Sequence, residues 1–157
     1  PVDFYGLNIY ESRCTEMKGA YPESSYQGIA RTSMNWPVTP ESMYWSAKFL
    51  TERYNVPLMI TENGMANNDW VHLDGCVHDP QRIDFTARYL RELKRAADEG
   101  IDILGYMHWS VLDNFEWAEG SDRRFGLVYV DYRTQERVIK DSGYWYRTVI
   151  ESNGENI

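Results

Sequence analysis

The segment that most constrains this chain is the apolar run Pro57-Leu-Met-Ile-Thr61, which passes at once into Glu62-Asn63-Gly64. It is too short for a helix and shows no polar alternation. That is the pattern of a strand buried on both faces in a parallel sheet. Parallel neighbours can be joined only through long crossovers, usually helices, so helical segments must flank the run. Before it, Thr39-Pro40 reads as N-cap and first helical residue, and Met43, Ala47, Leu50 and Tyr54 recur at helical spacing to about Asn55. After it, Asp79-Pro80 opens a second helix with Ile83, Ala87, Leu90, Leu93 and Ala97 on its buried face and Gly100 as its stop. Residues 2–10 and 101–109 supply a β-rich segment on either side. A short strand is expected at 127–131, and Asp141-Ser142 begins a last helix with Tyr144, Trp145, Thr148 and Val149 at helical spacing.

Strand and helix alternate three times, which predicts an α/β fold of parallel strands with right-handed crossovers within a single unit, residues 1–157. The loops after the C-terminal ends of parallel strands build the active site in such folds. Asn8 and Tyr10 end the first strand, Glu62 the second, Trp109 and Ser110 the third. Polar and aromatic groups are therefore expected to converge on one face. The stretch 11–38 has no period and is long for a structureless loop, which points to a functional one. Three strands make a poor closed barrel and leave two edges needing cover. The chain also starts without Met in a strand-like run, as expected of a chain beginning inside a domain.

Composition narrows the chemistry. Aromatics make up 15% of the chain, with six Trp and twelve Tyr, so it is far too apolar for disorder. Such rings serve a core or a site that stacks flat apolar faces, and only position separates the two. Sixteen Lys plus Arg against 24 Asp plus Glu give a net charge of −8. This argues against nucleic acid or an anionic membrane surface as partner and leaves neutral substrates open. Cys14 and Cys76 match no zinc or redox spacing and read as two free thiols in a reducing compartment. With neither a membrane-length apolar run nor a signal-peptide start, a cytoplasmic location is expected. His72, Cys76 and His78 could at best seed a weak metal site, and His108 stands alone, so no metal and no cofactor is assigned.

Four segments in order, DFYGLNIY, MNWPVTPE, ITENG and HWSVLDNFEWAEGSDRRFGLVYVDY, resemble glycoside hydrolase family 1, the β-glucosidase and β-galactosidase family of (β/α)8 barrels. The similarity runs from about Asp3 to Asn153. It implies the last three βα units of a TIM barrel, with the N-terminal part of the domain outside this chain. It further implies a retaining β-glycosidase acting on terminal non-reducing β-D-glucosyl residues through a covalent glycosyl-enzyme, with Glu62 as nucleophile. Tyr10 matches the tyrosine that hydrogen-bonds the nucleophile, and a phenol donating to a carboxylate stabilises the charged form. Asn8 matches the asparagine that orders the site near the acid/base.

Glu116 and Trp117 match the pair that grips the far hydroxyls of the sugar, a carboxylate accepting two hydrogens and an indole donating one. Retention of that pair argues for an unphosphorylated sugar. Trp109 matches the platform under the glycone ring and Phe125 a further wall of its pocket. Trp36 matches the tryptophan of the leaving-group subsite, although Asn35 and Pro37 stand where the family more often has a glycine and a non-proline. Retaining hydrolysis needs a second carboxyl group roughly 5–5.5 Å from the nucleophile. In the family this is the Glu of an Asn-Glu-Pro segment, which this chain lacks. The resemblance therefore calls for a complementary N-terminal chain or segment as partner. Two other readings stay open: an inactive folded fragment, and a carbohydrate-binding module using the surface of Trp109, Glu116 and Trp117.

Overall fold

A computed structural model describes residues 2–12, 15–16, 19–20 and 28–157. Its centre is a parallel sheet in the order β1 (Tyr5–Asn8), β4 (Leu58–Asn63), β5 (Ile103–His108). Helix α1 (Glu41–Tyr54) lies between β1 and β4 in the chain, and α2 (Pro80–Asp98) between β4 and β5. Two small antiparallel pairs lie outside this sheet. One joins β2 (Thr15–Glu16) to β3 (Gly19–Ala20) within the stretch expected to be irregular. The other joins β6 (Val128–Val130) to β7 (Arg137–Ile139), and α3 (Asp141–Glu151) follows. The expected strand at 127–131 is one arm of a hairpin, and its partner β7 carried no apolar run to mark it.

The apolar strand that carries Glu62 is buried on one face only. Leu58, Ile60 and Asn63 are buried, whereas Met59 and Thr61 are partly exposed on the other side. The reason is that the core lies between the sheet and a single helical layer, with Ile9, Ile60 and Met65 against Met43, Phe85, Tyr89 and Leu93, and Leu58 against Tyr44, Ala47 and Ala96. Each large apolar side chain buried there contributes about 1.5–3 kcal/mol. Register shifts between Leu7 and Asn8 and between Leu58 and Met59 keep Ile60 opposite Tyr106 and bring Asn8 opposite Glu62.

Two helix details depart from expectation. Pro40, not Thr39, is the residue before α1, and the Thr39 hydroxyl instead accepts from the Ser12 amide at 2.8 Å. On α2 the buried face is Arg82, Phe85, Thr86, Tyr89, Leu90, Leu93 and Ala96, with Ala97 exposed and Ile83 and Ala87 only partly covered. The helix is rotated from the face that aliphatic residues alone predict. Phe85 and Tyr89 stack with ring centroids 4.1 Å apart and fill the space beneath the sheet, and Arg82 enters because it finds carboxylates there. No helix among the described residues is long and apolar enough to cross a membrane.

Candidate active site

Glu62 is the last residue but one of β4, at the register irregularity between Ile60 and Asn63. Its side chain accepts a 2.8 Å hydrogen bond at Oε2 from the Tyr10 phenol, which stands two residues beyond β1. Burial first, then the hydrogen bond and the charge of Glu62, and finally the charge of Glu116, push the Tyr10 phenol well above the ordinary tyrosine range. Tyr10 therefore stays a proton donor to the carboxylate at any working pH.

Gly64 makes the junction possible. A Cβ on it would lie 1.8 Å from the Trp109 carbonyl oxygen, so only glycine lets β5 come this close behind Glu62. The Trp109 amide, in turn, donates to the Asn63 carbonyl at 2.8 Å, and the Trp109–Ser110 peptide bond is cis.

Tyr10, Trp36, Glu62, Trp109, Glu116, Trp117 and Phe125 line one cavity of about 260 Å³. That is slightly below the roughly 300–1,000 Å³ of small-molecule sites. Tyr10, Trp36 and Phe125 form a triangle of rings with centroid distances of 5.2, 6.2 and 6.1 Å. Phe125 is 2% exposed and forms a fixed wall, whereas Trp117 is 83% exposed and stands at the rim. Trp117 has φ 40°, a left-handed conformation that is costly for a bulky side chain and tends to mark functional positions. Asn35 takes φ 61°, which asparagine tolerates better than most residues, so the Asn-for-Gly difference before Trp36 is accommodated.

Two residues at the strand ends stay outside the cavity. Asn8 does not line the cavity; it is exposed and its Oδ1 accepts from the Thr61 hydroxyl at 2.7 Å. Ser110 turns away, donating to the Leu112 carbonyl. Of the two loop histidines, His78 lies between Asp141 at 2.6 Å and Asp74 at 2.9 Å, and His72 stacks on Trp70. Cys76 is a free, exposed thiol, while Cys14 lies outside the described residues.

Sequence reasoning missed the ionic cluster beneath the site. Asp69, Asp79 and Asp113 meet Arg82, Lys140 and Arg124, three charges of each sign. Arg82 bonds Asp69 at 2.6 Å, Asp79, and the Arg124 carbonyl. Lys140 bridges Asp69 at 2.6 Å and Asp113 at 2.8 Å. Asp113 also takes Arg124 at 2.7 Å and the Gly126 amide at 2.9 Å, and Asp79 receives both the amide and the hydroxyl of Ser142. A Cβ on Gly126 would fall 2.2 Å from the Asp113 nitrogen, so close backbone approach is built in here too. The cluster joins the loop after β4, the loop carrying Glu116, Trp117 and Phe125, and the start of α3. The i,i+3 spacing of Asp79 and Arg82 was its one sequence signal.

Next to this cluster His108 faces away from the cavity, with both ring nitrogens buried and without a hydrogen-bond partner among the described residues. Burial, then the positive charges of Arg82 and Lys140, push its pKa down from 6.5 to about 3. The folded protein thus excludes a proton that the unfolded chain binds below pH 6.5. The stability this confers is complete above that pH and declines as pH falls toward 3. Between pH 7 and 5 the wild type is expected to lose about 2 kcal/mol more than a His108→Leu variant. Denaturant titrations across that range measure it, and parallel pH slopes would contradict it.

The parallel strands, their helices and the cavity at the strand ends match part of a TIM barrel seen in solved relatives. A sequence model of glycosyl hydrolase family 1 matches residues 1–155, and the chain belongs to that family. It is 46% identical to β-glucosidase A of Thermotoga maritima over 98% of this chain and 35% of that protein. It is 42% identical to a bifunctional β-D-glucosidase/β-D-fucosidase of Bifidobacterium breve over 96% of this chain and 37% of that protein. The structure of the Thermotoga maritima β-glucosidase with deoxynojirimycin superposes with a TM-score of 0.92 at 46% identity, covering 98% of this chain and 36% of that one. The chain thus spans about a third of the length of these relatives.

Proposed function

We propose that this chain forms the last three βα units of a (β/α)8 barrel and carries the nucleophile half of a retaining β-glycosidase site for terminal β-D-glucosyl residues. The observation behind the reading is the 2.8 Å Tyr10–Glu62 hydrogen bond at a cavity that Trp36, Trp109, Phe125, Glu116 and Trp117 also line. Indole and phenyl faces suit the C–H faces of a pyranose, and Glu116 can accept from its hydroxyls. The Glu62 carboxylate attacks the anomeric carbon while the leaving oxygen departs, and water then releases the sugar with retained configuration. The acid/base carboxyl comes from the N-terminal portion of the barrel, as a joined segment or a partner chain. Asn8, beside Glu62 across the sheet, is assigned to ordering the site on the acid/base side.

The assembled enzyme incubated with a 2-deoxy-2-fluoro-β-glucoside bearing an activated leaving group is expected to gain the mass of one fluoroglucosyl group on the peptide containing Glu62. Labelling at another residue would overturn the assignment. Binding of glucose without labelling or turnover would favour the carbohydrate-binding alternative.

A further inference from the structure

Tyr10 can serve Glu62 only if its own backbone is fixed, and β1 stops at Asn8, two residues short of it. The Ile9 amide still donates to the Glu62 carbonyl at 2.9 Å, but the carbonyls of Ile9 and Tyr10 are held by side chains. The Asn63 side-chain nitrogen donates to the Ile9 carbonyl at 2.8 Å. The Tyr89 hydroxyl donates to the Tyr10 carbonyl at 2.9 Å.

Both donors are themselves fixed. Tyr89 accepts at its hydroxyl from the Thr39 amide at 2.9 Å, so its single proton is directed to Tyr10. Its ring is fully buried and stacked on Phe85. Asn63 is fully buried, and its Oδ1 accepts from the Tyr106 hydroxyl at 2.7 Å, which points its nitrogen at Ile9. Groups from the segment before α1, from α2, β4 and β5 therefore converge on the peptide from which Tyr10 reaches the carboxylate.

We propose that Tyr89, with Asn63 acting in parallel, is a positioning residue for the Tyr10–Glu62 pair. It touches neither the carboxylate nor the cavity and acts only through the Tyr10 backbone. The inference rests on the reading of Glu62 as nucleophile. A shift of about 1 Å in a reacting group can cost orders of magnitude in rate, whereas substrate affinity depends on the walls of the cavity, which Tyr89 does not line.

The test follows labelling of Glu62 in the assembled enzyme by 2,4-dinitrophenyl 2-deoxy-2-fluoro-β-glucoside. In that step a Glu62 oxygen forms a bond to the anomeric carbon and dinitrophenolate leaves with the bonding electrons, so no proton donor is needed. Tyr89→Phe is expected to lower the labelling rate at saturating probe roughly 10-fold while leaving the half-saturating concentration unchanged. Tyr44→Phe is the control, because it also removes a hydroxyl bond, to Glu99 at 2.8 Å, but one that holds neither Tyr10 nor its donors. It is expected to lower the melting temperature without slowing labelling.

Wild-type rates in Tyr89→Phe, or equal slowing in Tyr44→Phe, would overturn the positioning role while leaving Glu62 as nucleophile. Absence of labelling in the wild type removes the nucleophile reading and this inference with it. If Tyr89→Phe does not fold, Tyr106→Phe, which frees the Asn63 side chain, is judged by the same split.

Discussion

Replacing Glu62 by Gln is expected to lower hydrolysis of an aryl β-glucoside by the assembled enzyme roughly 10⁴-fold, about 5.4 kcal/mol of transition-state stabilisation. The amide has the size of the carboxylate, so the cavity and its rings stay in place. What disappears is the negative charge that makes the attacking oxygen a nucleophile. The hydrogen bond from Tyr10 becomes one to a neutral acceptor, weaker than the charge-assisted bond it replaces. Substrate binding should persist, because Trp36, Trp109, Glu116, Trp117 and Phe125 are untouched. Steady-state kinetics with unchanged native mass and fold give the comparison, and full activity in the variant would rule Glu62 out as nucleophile.

The second large effect is on stability. Asp113→Asn is expected to destabilise the protein by about 3–5 kcal/mol, the usual cost of breaking a buried ion pair from one side. Oδ1 of Asp113 accepts from Lys140 and the Gly126 amide, and Oδ2 from Arg124 and the Val130 amide. Every neighbour is a donor. An amide nitrogen in either position would set donor against donor, and one of three carboxylates balancing three cations would be lost.

Lys140 is the partner that suffers most. Burial and the nearby Arg82 already push its pKa down, and Asp69 and Asp113 oppose that shift. Adding Lys140→Met to Asp113→Asn restores charge balance and should recover part of the loss, because the two substitutions share one network. Urea titrations of both variants make the comparison. A loss below about 1 kcal/mol for Asp113→Asn would mean that the cluster relaxes around the change. The consequence for function follows from chain connectivity, since Asp113 and Arg124 bracket the segment that presents Glu116 and Trp117, and Phe125 follows Arg124 directly.

Much of the fold is legible in local sequence. The apolar run ending in Glu62, the helices opening near Pro40 and Pro80, and the flanking strands are signals within about ten residues of one another, where periodicity and capping chemistry act. Which face of α2 is buried was not legible. Aliphatic spacing favoured Ile83 and Ala87, whereas Arg82, Phe85 and Tyr89 turn inward because partners distant in sequence wait for them. Seven of the eight site candidates share a cavity, and Asn8 does not line it.

The alternation of strand and helix, the family, and the carboxylate near the end of the central strand are each written in local pattern or contiguous motif. Coverage of the central strand on one face only emerges once the helices pack against the sheet. Folding also brought Asp69 and Asp79 of the β4–α2 connection and Asp113 of the loop after β5 to Arg82, Lys140 and Arg124, and carried Tyr89 to the backbone of Tyr10. Most of these contacts cross long stretches of chain, 79 residues from Tyr89 to Tyr10 and 71 from Lys140 to Asp69, and a buried charge or hydroxyl looks no different in sequence from a solvated one until its partner is in place.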